Sequence, residues 1–195
     1  MPVKCCISKA LDAPEIVQLS YGVEQANSYL VVSCGHAVVI DACSSAVAEE
    51  LTQRSLIPDF VFLTHEHADH LWGLNELRTR FPEVRVIAQE ACSSSIGDPK
   101  KNIAAQYWIY AIIRYGEGYA NAEAKNRQYR CAPAEIEFRD QYRFMWRDCE
   151  IKIIHTPGHS PGSSMTFVQN QAVFSGDTML NEEVFLRFDG ASCMM

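Results

Sequence analysis

The chain has 195 residues, of which 48% are hydrophobic and 21% charged, with a formal net charge of -7. This apolar content excludes a disordered chain and suits one globular domain over residues 1–195, or two small sublayers sharing a site. The acidic balance argues against a general nucleic-acid or acidic-membrane surface, and no run approaches the roughly 20 apolar residues that span a bilayer.

Met1 to Ser8 lacks the apolar core of a signal peptide, so a cytoplasmic location is expected. Glu15–Leu19, Ser28–Val32 and Ala37–Ile40 read as strands, with Gly35 turning the last two, and Asp41 ends the third. Ala46–Thr52 has helix-forming composition behind Ser44 and Ser45 as caps. Phe60–Leu63 is a short β-branched and aromatic run suited to a buried strand. Leu71, Leu74, Leu77 and Phe81 then recur at helical spacing, and Val84–Ala88 returns to strand character. A β meander followed by βαβα alternation predicts a layered α/β domain.

Residues from about 93 to 146 read as an insert or lid, with a helix over Lys101–Tyr115 and a polar stretch over Tyr119–Gln128. Tyr107, Trp108, Tyr110 and Arg114 in that helix are candidates for a substrate wall, with simple packing of the insert as the competing reading. Glu150–Ile154 resumes the strand pattern, and Met165–Gln169 with Ala172–Phe174 reads as a hairpin. The eight cysteines are scattered without a CxxC pair, which favours reduced thiols, and the Cys5–Cys6 pair is given no role.

The chemistry concentrates at the strand ends. Thr64-His65-Glu66-His67-Ala68-Asp69-His70 places three imidazoles and two carboxylates directly after the Phe60–Leu63 run. In extended chain His65, His67 and Asp69 share a face, while Glu66 points away and reads as structural. His155–Gly162 and Ser175–Thr178 supply a later Gly-His and a later Gly-Asp, again where β runs end. Imidazoles and carboxylates of this kind suit zinc, with iron or manganese as alternatives.

In this order, together with Asn27–Leu30, Asp41 and Arg187–Gly190, these motifs resemble those of the metallo-β-lactamase fold superfamily, in its glyoxalase II-like hydrolase branch. The resemblance implies a four-layer αββα sandwich with its site where the two sheets meet. It implies a first metal site at His65, His67 and His159, and a second at Asp69 and His70. Asp177 would bridge the two, Asp41 would support the ligands from behind, and Asp69 would also act in catalysis by orienting the attacking hydroxide. One or two zinc ions and attack on a small-molecule ester, thioester or related substrate are then expected.

The pattern departs from the family at its end. A further C-terminal His usually completes the second site, and this sequence has no His after His159. The chain therefore reads as lacking the last C-terminal elements, with a weak second site and an edge that favours a homodimer. Two other functions stay open. A mononuclear iron oxygenase resembling persulfide dioxygenases would use His65, His159 and Asp177, and a metal-binding domain without activity would use none of them for catalysis.

Overall fold

The computed structural model describes residues 14–21, 26–116, 127–169 and 171–179. Cys5–Cys6, most of Tyr119–Gln128 and Arg187–Gly190 lie outside these described residues.

Three antiparallel strands open the chain: β1 (Glu15–Tyr21), β2 (Ala26–Ser33) and β3 (His36–Ile40). Cys34 and Gly35, both with positive φ (50° and 76°), form the tight turn between β2 and β3. Helix α1 (Ala46–Gln53) then carries the chain over to β4 (Ile57–Phe62), parallel to β3. Ser45 is its N-cap residue without a side-chain cap, whereas the Ser44 hydroxyl accepts from the Ala46 backbone N–H at 3.2 Å. Helices α2 (Leu74–Arg80) and α3 (Glu90–Ser95) flank β5 (Arg85–Gln89), which runs parallel to β4. Helix α4 (Tyr107–Tyr115) follows. The next strands are β6 (Ile136–Phe138), β7 (Gln141–Trp146), β8 (Cys149–His155), β9 (Ser164–Val168) and β10 (Ala172–Phe174).

Strands β1 to β6 form one sheet in sequence order, and β10-β9-β8-β7 form a second, antiparallel one. The expected insert is therefore shorter than read from sequence, because residues 136–146 contribute a strand to each sheet. The expected helix over Lys101–Tyr115 is likewise shorter, beginning at Tyr107.

Strand alternation divides the first sheet between two apolar cores. Leu30, Val39, Val61, Val86 and Ala88 face a core shared with Val47 and Leu51 of α1 and Leu74 and Leu77 of α2. Val31, Val38, Ile40, Phe62 and Ile87 face Trp146, Ile151, Ile153, Val168 and Phe174 of the second sheet. Burying each large side chain of this kind contributes about 1.5–3 kcal/mol. Helices, sheet and sheet thus stack as layers of the expected sandwich. The short apolar runs at the ends of β3 (Ala37 to Ile40) and β4 (Phe60 to Phe62) follow from burial between the two cores.

At one end of the strands, Asp59 on β4 ties the sheets together. Its carboxylate accepts from the Trp146 indole N–H at 2.8 Å and lies 2.9 Å from His36 Nδ1. The loops leaving β3, β4 and β8 emerge at the opposite end, and the histidines gather there. No helix among the described residues is long and apolar enough to cross a membrane.

Candidate metal centre

The segment after β4 bends at Thr64 and Glu66 and then folds into a short 3-10 turn, Ala68–His70. Backbone bonds fix it on three sides: Ala42 N–H donates to His70 O at 3.0 Å, Ser164 N–H to Thr64 O at 2.7 Å, and Ala68 N–H to Asn102 O at 2.9 Å. Two loops close over it. The β8–β9 loop brings His159, and the 3-10 turn Gly176–Thr178 after β10 brings Asp177.

Four imidazoles crowd together there. The His65 ring lies 4.6 Å from that of His67, 4.3 Å from His70 and 4.9 Å from His159. His159 Nε2 comes within 3.0 Å of His67 Nδ1. Nitrogen atoms of His65, His67 and His159 form one group able to hold a metal ion, and His65, His70 and Asp177 form another, all atoms in each lying within 4.8 Å of one another.

The second group brings His65 beside the expected His70 and Asp177. Asp69 lies on the 3-10 turn, off the extended face that was expected to align it with His65 and His67. Its Oδ2 is 3.9 Å from His70 Nε2, beside this group. Asp177 lies against histidines of both groups. Its Oδ1 is 3.3 Å from His70 Nε2, and its Oδ2 is 3.5 Å from His159 Nε2 and 4.0 Å from His65 Nε2.

Behind the histidines, Asp41 sets their orientation. Its φ of 56° turns the chain sharply at the end of β3 and buries the carboxylate. Oδ1 accepts from the Thr64 backbone N–H at 2.8 Å, and Oδ2 accepts from the Thr64 hydroxyl at 2.7 Å. His70 Nδ1 also reaches Oδ2 at 2.7 Å, which leaves His70 Nε2 facing Asp177. The single Thr64 hydroxyl proton is committed to Asp41, so the oxygen accepts from His65 Nδ1–H at 3.1 Å. That bond fixes the tautomer that exposes a bare Nε2 to the site. Sequence reasoning gave Thr64 no role, and only its place between Asp41 and His65 in space reveals one.

Electrostatics at His65, His67 and His159 agree with a ligand-type site. Burial holds His65 well below the ordinary imidazole value and His67 at about 3, so both are neutral donors. His159 is lowered by burial as well, partly offset by Asp177. Burial opposes charge on His70, but the surrounding acids, Asp41 foremost, outweigh it and hold the ring well above its ordinary value. Burial raises Asp69 to about 6, whereas Asp177 overcomes the same penalty through His70 and falls to about 2.

His65 Nε2 and Asp69 Oδ1 are buried without a hydrogen-bond partner. An orphaned buried polar atom costs about 1–3 kcal/mol, and an ion at the site would satisfy the histidine nitrogen. The residues present therefore fit a divalent metal of the zinc type by donor chemistry and by this unmet demand.

Gly176 allows the Asp177 turn to approach. Its φ is +51°, and a Cβ there would fall 2.4 Å from Thr64 Oγ1. Gly176→Ala is expected to push Asp177 away and weaken zinc binding, with calorimetric titration as the check. Gly35→Ala, whose Cβ meets nothing within 4 Å, is the control for strain alone.

The expected substrate wall is only partly at the surface. Tyr107 is buried against Trp72 and Tyr110, with ring centroids 5.7 and 5.6 Å away, so it packs α4 onto the segment following His70. Trp108 and Tyr110 are half-buried, and the Arg127 guanidinium lies 4.6 Å over the Trp108 ring. The Arg114 side chain lies outside the described residues.

Fold and site together define a two-sheet α/β sandwich with a histidine-rich centre where the sheets meet. The chain belongs to the metallo-beta-lactamase superfamily, whose family model matches residues 21–190. A hydroxyacylglutathione hydrolase from Xylella fastidiosa is 28% identical over 166 residues, covering 85% of this chain and 50% of that protein. Glyoxylase B2 of Dictyostelium discoideum is 25% identical over 134 residues, covering 69% of this chain and 40% of that protein. The chain thus spans about half or less of the length of these relatives. Among solved structures, the BLEG-1 B3 metallo-beta-lactamase superposes with a TM-score of 0.71 at 24% identity, covering 86% of this chain and 74% of that one. ETHE1 from Myxococcus xanthus does so with 0.57 at 21%, covering 85% and 58%. At these identities the two structures speak for the fold.

Proposed function

We propose that the chain is a metal-dependent hydrolase acting on a small ester, thioester or related substrate. The observation that carries this reading is the convergence of His65, His67 and His159 on one point, with His65 Nε2 buried and unsatisfied. Those three residues would hold the first ion, and Asp69, His70 and Asp177 a second, since the single free nitrogen of His65 can serve only one ion. Zinc is the ion the neutral imidazoles suit best, with iron or manganese as alternatives. When bound, such an ion supplies Lewis acidity, polarising a carbonyl and bringing the pKa of water to about 7.

The chain's own groups do the rest. Asp41, through Thr64 and directly, holds His65 and His70 with their Nε2 atoms toward the centre. Asp177 spans both groups and offsets their positive charge. Asp69, with one buried oxygen unpartnered and its carboxyl raised to about 6, would orient the attacking water and take its proton. Trp108 and Tyr110 offer partly exposed aromatic surface on α4, which packs beside the motif through Tyr107 and Trp72.

The names of the hydroxyacylglutathione hydrolase relatives direct the first assay to an acylglutathione, beside a simple ester and a β-lactam. The zinc-loaded chain is expected to hydrolyse at least one acyl substrate, and His159→Ala to lose that activity. The atoms of His65, His159 and Asp177 also lie close enough to serve a single iron. Oxygen uptake by the iron-loaded chain with a persulfide, and none of the hydrolysis, would replace the hydrolase reading with that one.

A further inference from the structure

Glu66 lies between two of the proposed ligands and faces away from both. It is 2% exposed, and its carboxylate accepts from the Ser160 hydroxyl at 2.9 Å. The Ser160 proton is thereby committed, so at 2.9 Å its oxygen accepts from the Ser163 hydroxyl. Ser163 Oγ in turn accepts from the Ser160 backbone N–H at 3.0 Å. The Gly162 backbone N–H also donates to the carboxylate. Gly162 presses so closely that a Cβ there would fall 2.5 Å from Glu66 Oε2 and 2.4 Å from the Cys92 nitrogen. Every donor facing Glu66 from the β8–β9 loop thus belongs to the residues just after His159.

A carboxylate is costly to bury, and here it has no cation to pair with among these partners. What its bonds achieve is geometric. The loop is zipped to the first sheet by Ser164 N–H and Thr64 O at 2.7 Å, and Ser160 adds a second anchor four residues earlier, beside His159. Both anchors end on the same segment that carries His65 and His67. The relative placement of the three imidazoles is therefore set within one short hydrogen-bonded unit.

We propose that Glu66 is a positioning residue that docks the His159 loop through Ser160, so that His159 meets His65 and His67. This rests on the reading of those three histidines as a metal site. Outer partners of metal ligands typically govern about 10–100-fold in affinity, and that range is expected here.

The test is a double-mutant cycle on zinc affinity, measured by chelator competition on the full chain. Glu66→Ala is expected to weaken zinc about 10–100-fold, Ser160→Ala to follow it, and Glu66→Gln, which keeps an acceptor for Ser160, to recover most of the loss. In a His159→Ala background, Glu66→Ala is expected to have no further effect. A merely destabilising substitution would weaken zinc in both backgrounds, and that result would overturn the proposal. So would wild-type affinity in Glu66→Ala or, should that variant fail to fold, in Ser160→Ala. If His159→Ala itself binds zinc like the wild type, the metal-site reading fails first and the positioning role falls with it.

Discussion

Replacing His65 with alanine is expected to abolish metal binding at the first group. Its Nε2 lies within reach of both sets, but its single lone pair serves one ion, and without it the first set keeps only His67 and His159. His67→Ala should spare the second group, and His70→Ala the first. The loss in His65→Ala should exceed the ~10–100-fold that follows removal of an outer partner. Zinc content after dialysis, read beside a circular dichroism spectrum to show that the chain is folded, checks the ranking. The fold should survive, because the ring buries against other histidines rather than in either apolar core.

Asp41→Ala is expected to cost most in stability, about 3–5 kcal/mol by urea unfolding of the metal-free chain. The substitution strands three buried donors: the Thr64 N–H, the Thr64 hydroxyl and His70 Nδ1. It also asks alanine to adopt a φ of 56°, a conformation that Asp and Asn tolerate better. Asp41→Asn separates the two causes. It keeps the backbone and one acceptor oxygen, and should recover part of the loss without restoring metal affinity.

Much of this architecture can be read from the chain. β3 and β4 declare themselves as apolar runs because both their faces are buried, and α2 through its leucines at helical spacing. The motif residues stand in sequence order at the ends of successive strands, so their meeting follows once the strands are placed. β6 and β7 escape the pattern for opposite reasons. β6 is three residues long, and β7 alternates exposed Gln141, Arg143 and Met145 with buried or half-buried neighbours, which in an aromatic-rich region resembles an insert.

The second metal group could not be assigned by alternation either. The expectation for Asp69 assumes extended chain, and the bends at Thr64 and Glu66 and the 3-10 turn at Ala68–His70 end that geometry. Thr64 and Ser160 carry no signal of their own, since a hydroxyl shows its use only when both its partners are located. Glu66 did show itself as pointing away from the site, and the structure supplies what it points to.

The central claim is that hydrolysis depends on an ion held by these histidines. One preparation decides it: zinc content and acylglutathione hydrolysis are measured as loaded, after stripping with a chelator, and after zinc is returned. Activity is expected to disappear with the metal and come back with it, and His65→Ala, stripped of a first-group ligand, to hold less zinc and show no activity at any stage. Hydrolysis that continues undiminished in the stripped chain would contradict it.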